Sequence, residues 1–332
     1  MKPNLLLSVK IILFIIIASA VQSCSNEIGA WKNDKIKSGV RDDLHQLDDQ
    51  AFKYLYAYNT KKLGELQSQG MIDDRTADAI IQRVSHELRQ DSFVRVDEYY
   101  TVNKYMTTDT IEALNEGINS HRLVYPGLSQ EMYISIYLPQ SKALPNKSMI
   151  TAIYSRYDYG WKLTTLNLGQ YAINGKTAPE LHKMAAADYN KGNLASAVDF
   201  MDMARRCFRP SDYWIYKNED MMSDFATHIS EESAKKYLFP FPIRQVSTEP
   251  LVIGVFSNTT SEGTFPVIAY QSKIKLANKA ALDKEQQDIK KVIGNIMPGI
   301  DKNRKYLIYA AYNELPVSTK NVPRYEVKEK LQ

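Results

Sequence analysis

The chain has only two cysteines in 332 residues, Cys24 and Cys207, which excludes a disulfide-stapled scaffold. A protein of this length must then owe its stability to packed cores. Histidine is sparse as well. His45, His86, His121, His182 and His228 are scattered, with no pair at i, i+3 or i+4. Zinc needs three or four convergent ligands, and "SHELRQ" at 85–90 lacks the second histidine of the zinc-protease pattern. There is no G-x-S-x-G elbow, no phosphate-cradling glycine loop and no dinucleotide fingerprint. Asp91, Asp97 and Asp109 are lone acids near strands, a setting in which acids cap backbone or face solvent. No catalytic, metal-binding or cofactor-binding residue is assigned, and no cofactor is expected. Neither sign of charge dominates, with 42 Lys and Arg against 38 Asp and Glu. A near-neutral surface offers nucleic acid no footprint, so no nucleic-acid partner is expected. Long apolar runs are also missing. The uncharged apolar run at residues 11–21 is shorter than the roughly 20 residues a spanning helix needs.

That short run follows Lys2 and Lys10 and ends in small residues, the build of a secretory signal peptide. An ordinary signal peptide needs no cysteine at its end. Here Val21, Gln22, Ser23 and Cys24 resemble the lipobox of bacterial lipoproteins. The resemblance implies cleavage after Ser23, diacylation of the Cys24 sulfur and acylation of the new amine. Each buried methylene contributes about 0.8 kcal/mol, so two or three chains hold a protein that one would release. Ser25, in place of the aspartate that retains such proteins at the inner membrane, implies an outer-membrane address. Removing residues 1–23 leaves a net charge of about +2 and Cys207 as the sole free thiol, read as a small buried hydrophobe on a helix.

Beyond the anchor, the polar stretch to residue 44 reads as a tether. A helix is expected from Asp48 or Asp49, either able to cap it, to Gly70, with Phe52, Leu55, Tyr56, Leu63 and Leu66 on its apolar face. A second follows Asp73 or Asp74, with Ala77, Ile80, Ile81, Val84 and Leu88 at helical spacing. Met132, Ile134, Ile136 and Leu138 then alternate with Tyr133, Ser135 and Tyr137, the period of a half-buried strand. Residues 148–157 make another strand, and one resumes at Trp161 after a turn. In that last strand Trp161 and Leu163 share a face while Leu166 and Leu168 take the other phase, which predicts a β-bulge.

Helices followed by antiparallel strands, with a long bent strand reading "GWKLTTLNLGQYAING", resemble the nuclear-transport-factor-like (cystatin-like) cone fold over residues 45–175. In that family the cone holds a ligand or an active site in some members and a filled core in others. Thr177 and Pro179 then open a helical region. "YNKGNLASAVDFMDMARRCFRP" resembles one tetratricopeptide repeat, with Gly192 and Asn193 at the turn, Ala197 and Ala204 at the close approach and Pro210 ending it. A third helix is expected to carry Trp214, Ile215, Met222, Phe225 and Ile229. A lone repeat must bury its face against a neighbour. Pro240 and Pro242 in "LFPFPIR" stop the helix; two strands, a helix and two strands follow.

The expected fold is therefore α+β. It comprises a signal peptide (1–23), a tether (24–44), a cystatin-like domain (45–175), a tetratricopeptide-like region (176–237) and a small ββαββ domain (238–332). Two roles fit. The first is a lipid-anchored envelope protein, held to the membrane by acyl chains on Cys24, that binds or scaffolds a protein partner without catalysis. The alternative is a small-ligand binder or enzyme with its pocket inside the cone. Tyr133, Tyr137, Tyr154, Tyr157 and Tyr159 suggest a stacking platform for a sugar or peptide.

Overall fold

The computed structural model describes residues 27–316 and 321–331. The signal peptide and Cys24 lie outside the described residues. The fold is α+β, with three sheets among the described residues. The central one, five-stranded in the order β1-β2-β5-β6-β7, is antiparallel throughout. It is built from β1 (Gly29–Lys32), β2 (Phe93–Val102), β5 (Glu131–Pro139), β6 (Lys147–Tyr157) and β7 (Gly160–Ala172).

The expected tether is structured from Gly29 onward, because β1 finds an edge partner in β2 and Trp31 packs on Tyr100 at 5.8 Å. Polarity alone does not show such a partner. The first helix, α1 (Ser38–Tyr56), starts ten residues before the expected cap at Asp48. Asp48 instead sits mid-helix and is fully buried. Two short helices follow, α2 (Thr60–Leu66) and α3 (Gln69–Asp73), so Gly70 lies inside a helix instead of ending one. Next comes α4 (Ala77–Gln90), whose Ala77, Ile81, Val84 and Leu88 are buried as their spacing requires.

The central sheet is buried on both faces. Tyr133 and Tyr137 of β5, with Ile150, Ala152 and Tyr154 of β6, pack against α1 and α4. Met132, Ile134 and Ile136 point the other way, into a second core. The expectation of a half-wet strand fails because both sides find cover. The bulge in β7 is observed: Tyr154 faces Leu163 and Ile153 faces Thr165, leaving Thr164 unpaired. That extra residue turns Leu163 and Leu166 onto the same helix-facing side, where both are buried.

The second core is shared by everything downstream. The helical hairpin α5 (Ala178–Asn190) and α6 (Leu194–Arg206) turns at Gly192, whose φ of 78° suits glycine. Ala197 and Ala204 are buried in this core, and so is Cys207 just past the end of α6. Trp214 and Ile215, expected in a helix, form the short strand β8 (Trp214–Tyr216) instead. It adds to a small sheet with β3 (Thr108–Ala113) and β4 (His121–Pro126), strands that β-alternation in the sequence does not announce. Then α7 (Glu219–Lys236) ends ahead of the two prolines.

The C-terminal sheet has the order β13-β12-β11-β10-β9. The short β9 (Phe241–Pro242) pairs with β10 (Leu251–Thr260), which forms a hairpin with β11 (Gly263–Gln271). The helix α8 (Lys279–Ile296) crosses to β12 (Tyr306–Tyr312), parallel to β11, and β13 (Arg324–Lys330) closes the edge. Ile268, Tyr270, Leu307 and Tyr309 of this sheet join Leu181 and Phe200 of the hairpin and Ile134 of the central sheet in one contiguous core.

Candidate functional site

Two polar assemblies stand out, and their geometry separates a structural role from a binding role. The first lies under α1. Asp48 accepts hydrogen bonds from Tyr137 at 2.5 Å, Tyr154 at 2.7 Å and Ser135 at 3.0 Å, and Arg95 Nε donates at 3.0 Å. Burial raises the Asp48 pKa above the ordinary carboxylate range, against the opposing pull of Arg95 and the hydroxyls. Nearby, buried Glu98 accepts from Arg41 at 2.5 Å and Tyr133 at 2.7 Å, with His45 Nε2 at 2.7 Å. Burial alone would raise its pKa, but the bonds from Tyr133, Arg41 and His45 outweigh it and hold the carboxyl below its usual value. Both acids are saturated by protein donors, so they fasten α1 to the sheet.

The interior expected to hold a pocket is therefore filled. Asp48, Ala51, Leu55, Tyr133 and Tyr154 occupy it, all without solvent exposure. The stacking platform does not assemble either. Tyr133, Tyr137 and Tyr154 are buried around Asp48, whereas Tyr157 and Tyr159 stack on each other at the β6–β7 turn. Beside α4 a surface cleft of about 470 Å³ is lined by Arg83, His86, Glu87 and Arg89, with Leu168 its one large apolar group.

The second assembly is a groove of about 390 Å³ where the three regions meet. Its floor is apolar, made by Leu181 and Met184 of α5, Phe200 and Met203 of α6, and Phe265 of β11. Lys142 and Leu144 of the β5–β6 loop, Lys176 of the β7–α5 turn and Lys305 before β12 form the rim. Beneath the floor, Arg304 Nη2 pairs with Asp199 at 2.8 Å, and both are buried. The same guanidinium bonds Ser196 Oγ at 3.1 Å and lies 4.5 Å from the Phe200 ring centroid. That ion pair fixes α6 against the segment leading to β12. On the far rim Glu262 is held by Lys328 at 2.8 Å, with Lys305 at 3.7 Å, and its pKa falls to about 2. Lys142 has no ionic partner among the described residues. The groove thus combines an apolar floor with a surplus of positive charge.

The remaining sequence candidates disperse. His121 stacks on Trp214, His182 meets the edge of Phe225, and His228 reaches the Tyr189 hydroxyl at 3.1 Å. Asp91 accepts from the Ser92 and Ser141 amides, Asp97 pairs with Lys32 at 3.0 Å, and Asp109 accepts from the Thr110 amide. Among the described residues no three His, Cys, Asp or Glu side chains form a metal-binding group. None of the groove residues belongs to a site motif in the sequence. Phe200 and Met203 were legible only as a helix face, and the rim lysines belong to three separated loops. Comparison with known protein families, curated proteins and solved structures finds no match for this chain.

Proposed function

We propose that this protein is a cell-envelope lipoprotein, anchored through Cys24 at the outer membrane, that works by binding a protein partner in the three-way groove. The observation that carries the reading is the groove's chemistry. Two flexible methionines and two phenylalanines make an adaptable apolar floor, and lysines surround it. No nucleophile–base pair lines it, so its residues suit recognition rather than bond-making. The lipobox and the basic, short apolar start support the anchor. A second reading places a small anionic amphiphile there, favoured by a volume within the range of small-ligand clefts. The order of helices and antiparallel strands supports a nuclear-transport-factor-like reading of residues 45–175, with a filled interior that acts as scaffold.

A photo-crosslinking residue at Leu144, in protein expressed in its own membranes, tests the binding role. The expected result is one discrete adduct that is absent when the crosslinker sits at Lys330 on the edge strand. Recovery of the lipoprotein alone from both positions, in several mild detergents, overturns it. Mass measurement of the N-terminal peptide tests the anchor.

A further inference from the structure

We infer that one end of the central sheet is a seating surface for the lipid bilayer. This rests on the anchor proposed for Cys24. The strand register defines the end. Gly29, where β1 begins, faces Val102, where β2 ends, and Glu131, where β5 begins, faces Val102 from the other side. Met132 faces Ser155 near the end of β6, and Tyr157 faces Gly160 across the last turn. All five strands therefore present their ends to one rim.

That rim carries several exposed large apolar side chains, beside the exposed charges of Lys104 and Asp158. Ile28 is 57% exposed, Tyr105 65%, Met106 72%, Leu128 43% and Tyr159 63%. These side chains are held up by ordered backbone. The Asn103 amide donates to Gln130 O at 2.7 Å, its side chain to Ser129 O at 2.8 Å, and the Gly127 amide to Thr107 O at 2.8 Å. A Cβ at Gly127 would lie 2.5 Å from Thr107 O, so glycine lets the two loops close together. Tyr157 and Tyr159 stack at 5.2 Å, which stiffens the turn. Lys104 Nζ stands 5.2 Å from the Tyr105 ring centroid and Lys162 Nζ 5.8 Å from that of Tyr159. Exposed aromatics with adjacent lysines, over aliphatic tips, match the preferences of the membrane–water interface. Glu131 on this rim is matched by Arg156 at 2.8 Å.

The length of chain outside the described residues selects the occupant. Glu27 is the third residue after Cys24, and three residues span at most about 11 Å. An acylated Cys24 holds the start of β1, and with it the near side of this rim, within about that distance of the headgroups. Bilayer is then the nearest apolar phase for Met106 and its neighbours. The groove lies at the opposite end of the same strands, near Pro139, Lys147 and Ala172, about 35 Å away along the eleven residues of β6. Seating the rim turns the groove away from the membrane.

The test uses the full lipoprotein with Met106→Cys labelled by a fluorophore, in phosphatidylethanolamine–phosphatidylglycerol vesicles that carry brominated acyl chains. Cys207 is buried and does not compete for the label; where the mass shows Cys24 unmodified, the measurement is made with Cys24→Ser added so that the label sits only at the engineered position. The expected result is quenching several-fold stronger at 106 than at a Leu144→Cys control, lowered at least twofold by adding Tyr105→Glu. Equal quenching at both positions in protein whose Cys24 mass shows acylation overturns the seating surface and leaves the anchor. Preferential quenching with an unmodified Cys24 keeps the surface and removes the anchor. Equal quenching with an unmodified Cys24 overturns both. A change at 106 that follows protein concentration without vesicles assigns the rim to a second copy and also overturns the inference.

Discussion

The Asn174 side chain pairs with the backbone of Thr264 as a neighbouring strand would. Its Nδ2 donates to Thr264 O at 2.7 Å and its Oδ1 accepts from Thr264 N at 2.8 Å. One amide thereby fastens the end of the central sheet to the C-terminal hairpin, at the edge of the groove. Gly263 makes the approach possible, since a Cβ there would clash with Asn174 Oδ1.

Asn174→Ala strands both backbone groups of the buried Thr264, each costing about 1–3 kcal/mol. Urea unfolding should show a loss of about 2–4 kcal/mol, with Asn174→Asp intermediate because it keeps the acceptor. A loss below 0.5 kcal/mol in this assay, the level of an ordinary surface change, would remove the bridge from the account.

Arg304→Met leaves Asp199 charged and buried beside α6, with Ser257 its remaining donor. Breaking such a pair costs about 3–5 kcal/mol, while replacing both partners by apolar residues costs far less. In a double-mutant cycle, Asp199→Leu with Arg304→Met should be more stable than Arg304→Met alone. Additive losses would show that the two side chains act independently.

Acid should loosen α1 through Glu98. Its folded pKa lies below the ordinary glutamate value of 4.5, so its stabilising contribution is complete above that pH. The contribution is lost as pH falls from 4.5 through the folded value, because the unfolded chain takes the proton first. Glu98→Gln should be less stable than the parent at pH 7 and should lose less between pH 5 and 3. Parallel pH–stability curves for the two proteins would contradict this.

Burial pushes the Cys207 thiol up to about 12. Thiol reagents at pH 8 should label it only at the rate of unfolding, and stoichiometric labelling in folded protein within seconds would place it at the surface.

Periodicity was legible wherever one chain segment contains its own answer. The spacing of Ala77, Ile81, Val84 and Leu88 gave α4, and the phase change between Leu163 and Leu166 gave the bulge at Thr164. Partner-dependent features were not legible. β1 is only four residues long and becomes a strand because β2 lies beside it, and Trp214, expected in a helix, pairs with β4 in a strand. Asp48 reads as a cap in sequence because an acid before an apolar run usually is one; three hydroxyls and Arg95, from 47 to 106 residues away, make it a buried fastener.

By itself, the sequence determined the α+β class, the helical hairpin and the stop at Pro240, and it supplies the lipobox-like residues on which the anchor at Cys24 is proposed, since each depends on spacing or chemistry within a short window. Only the tertiary structure decided that the tyrosine-rich interior is closed, that an open groove forms at a three-way junction, and which exposed side chains share the rim beside the chain's entry. Those outcomes depend on contacts between residues far apart along the chain, and no local pattern encodes which distant loops will meet.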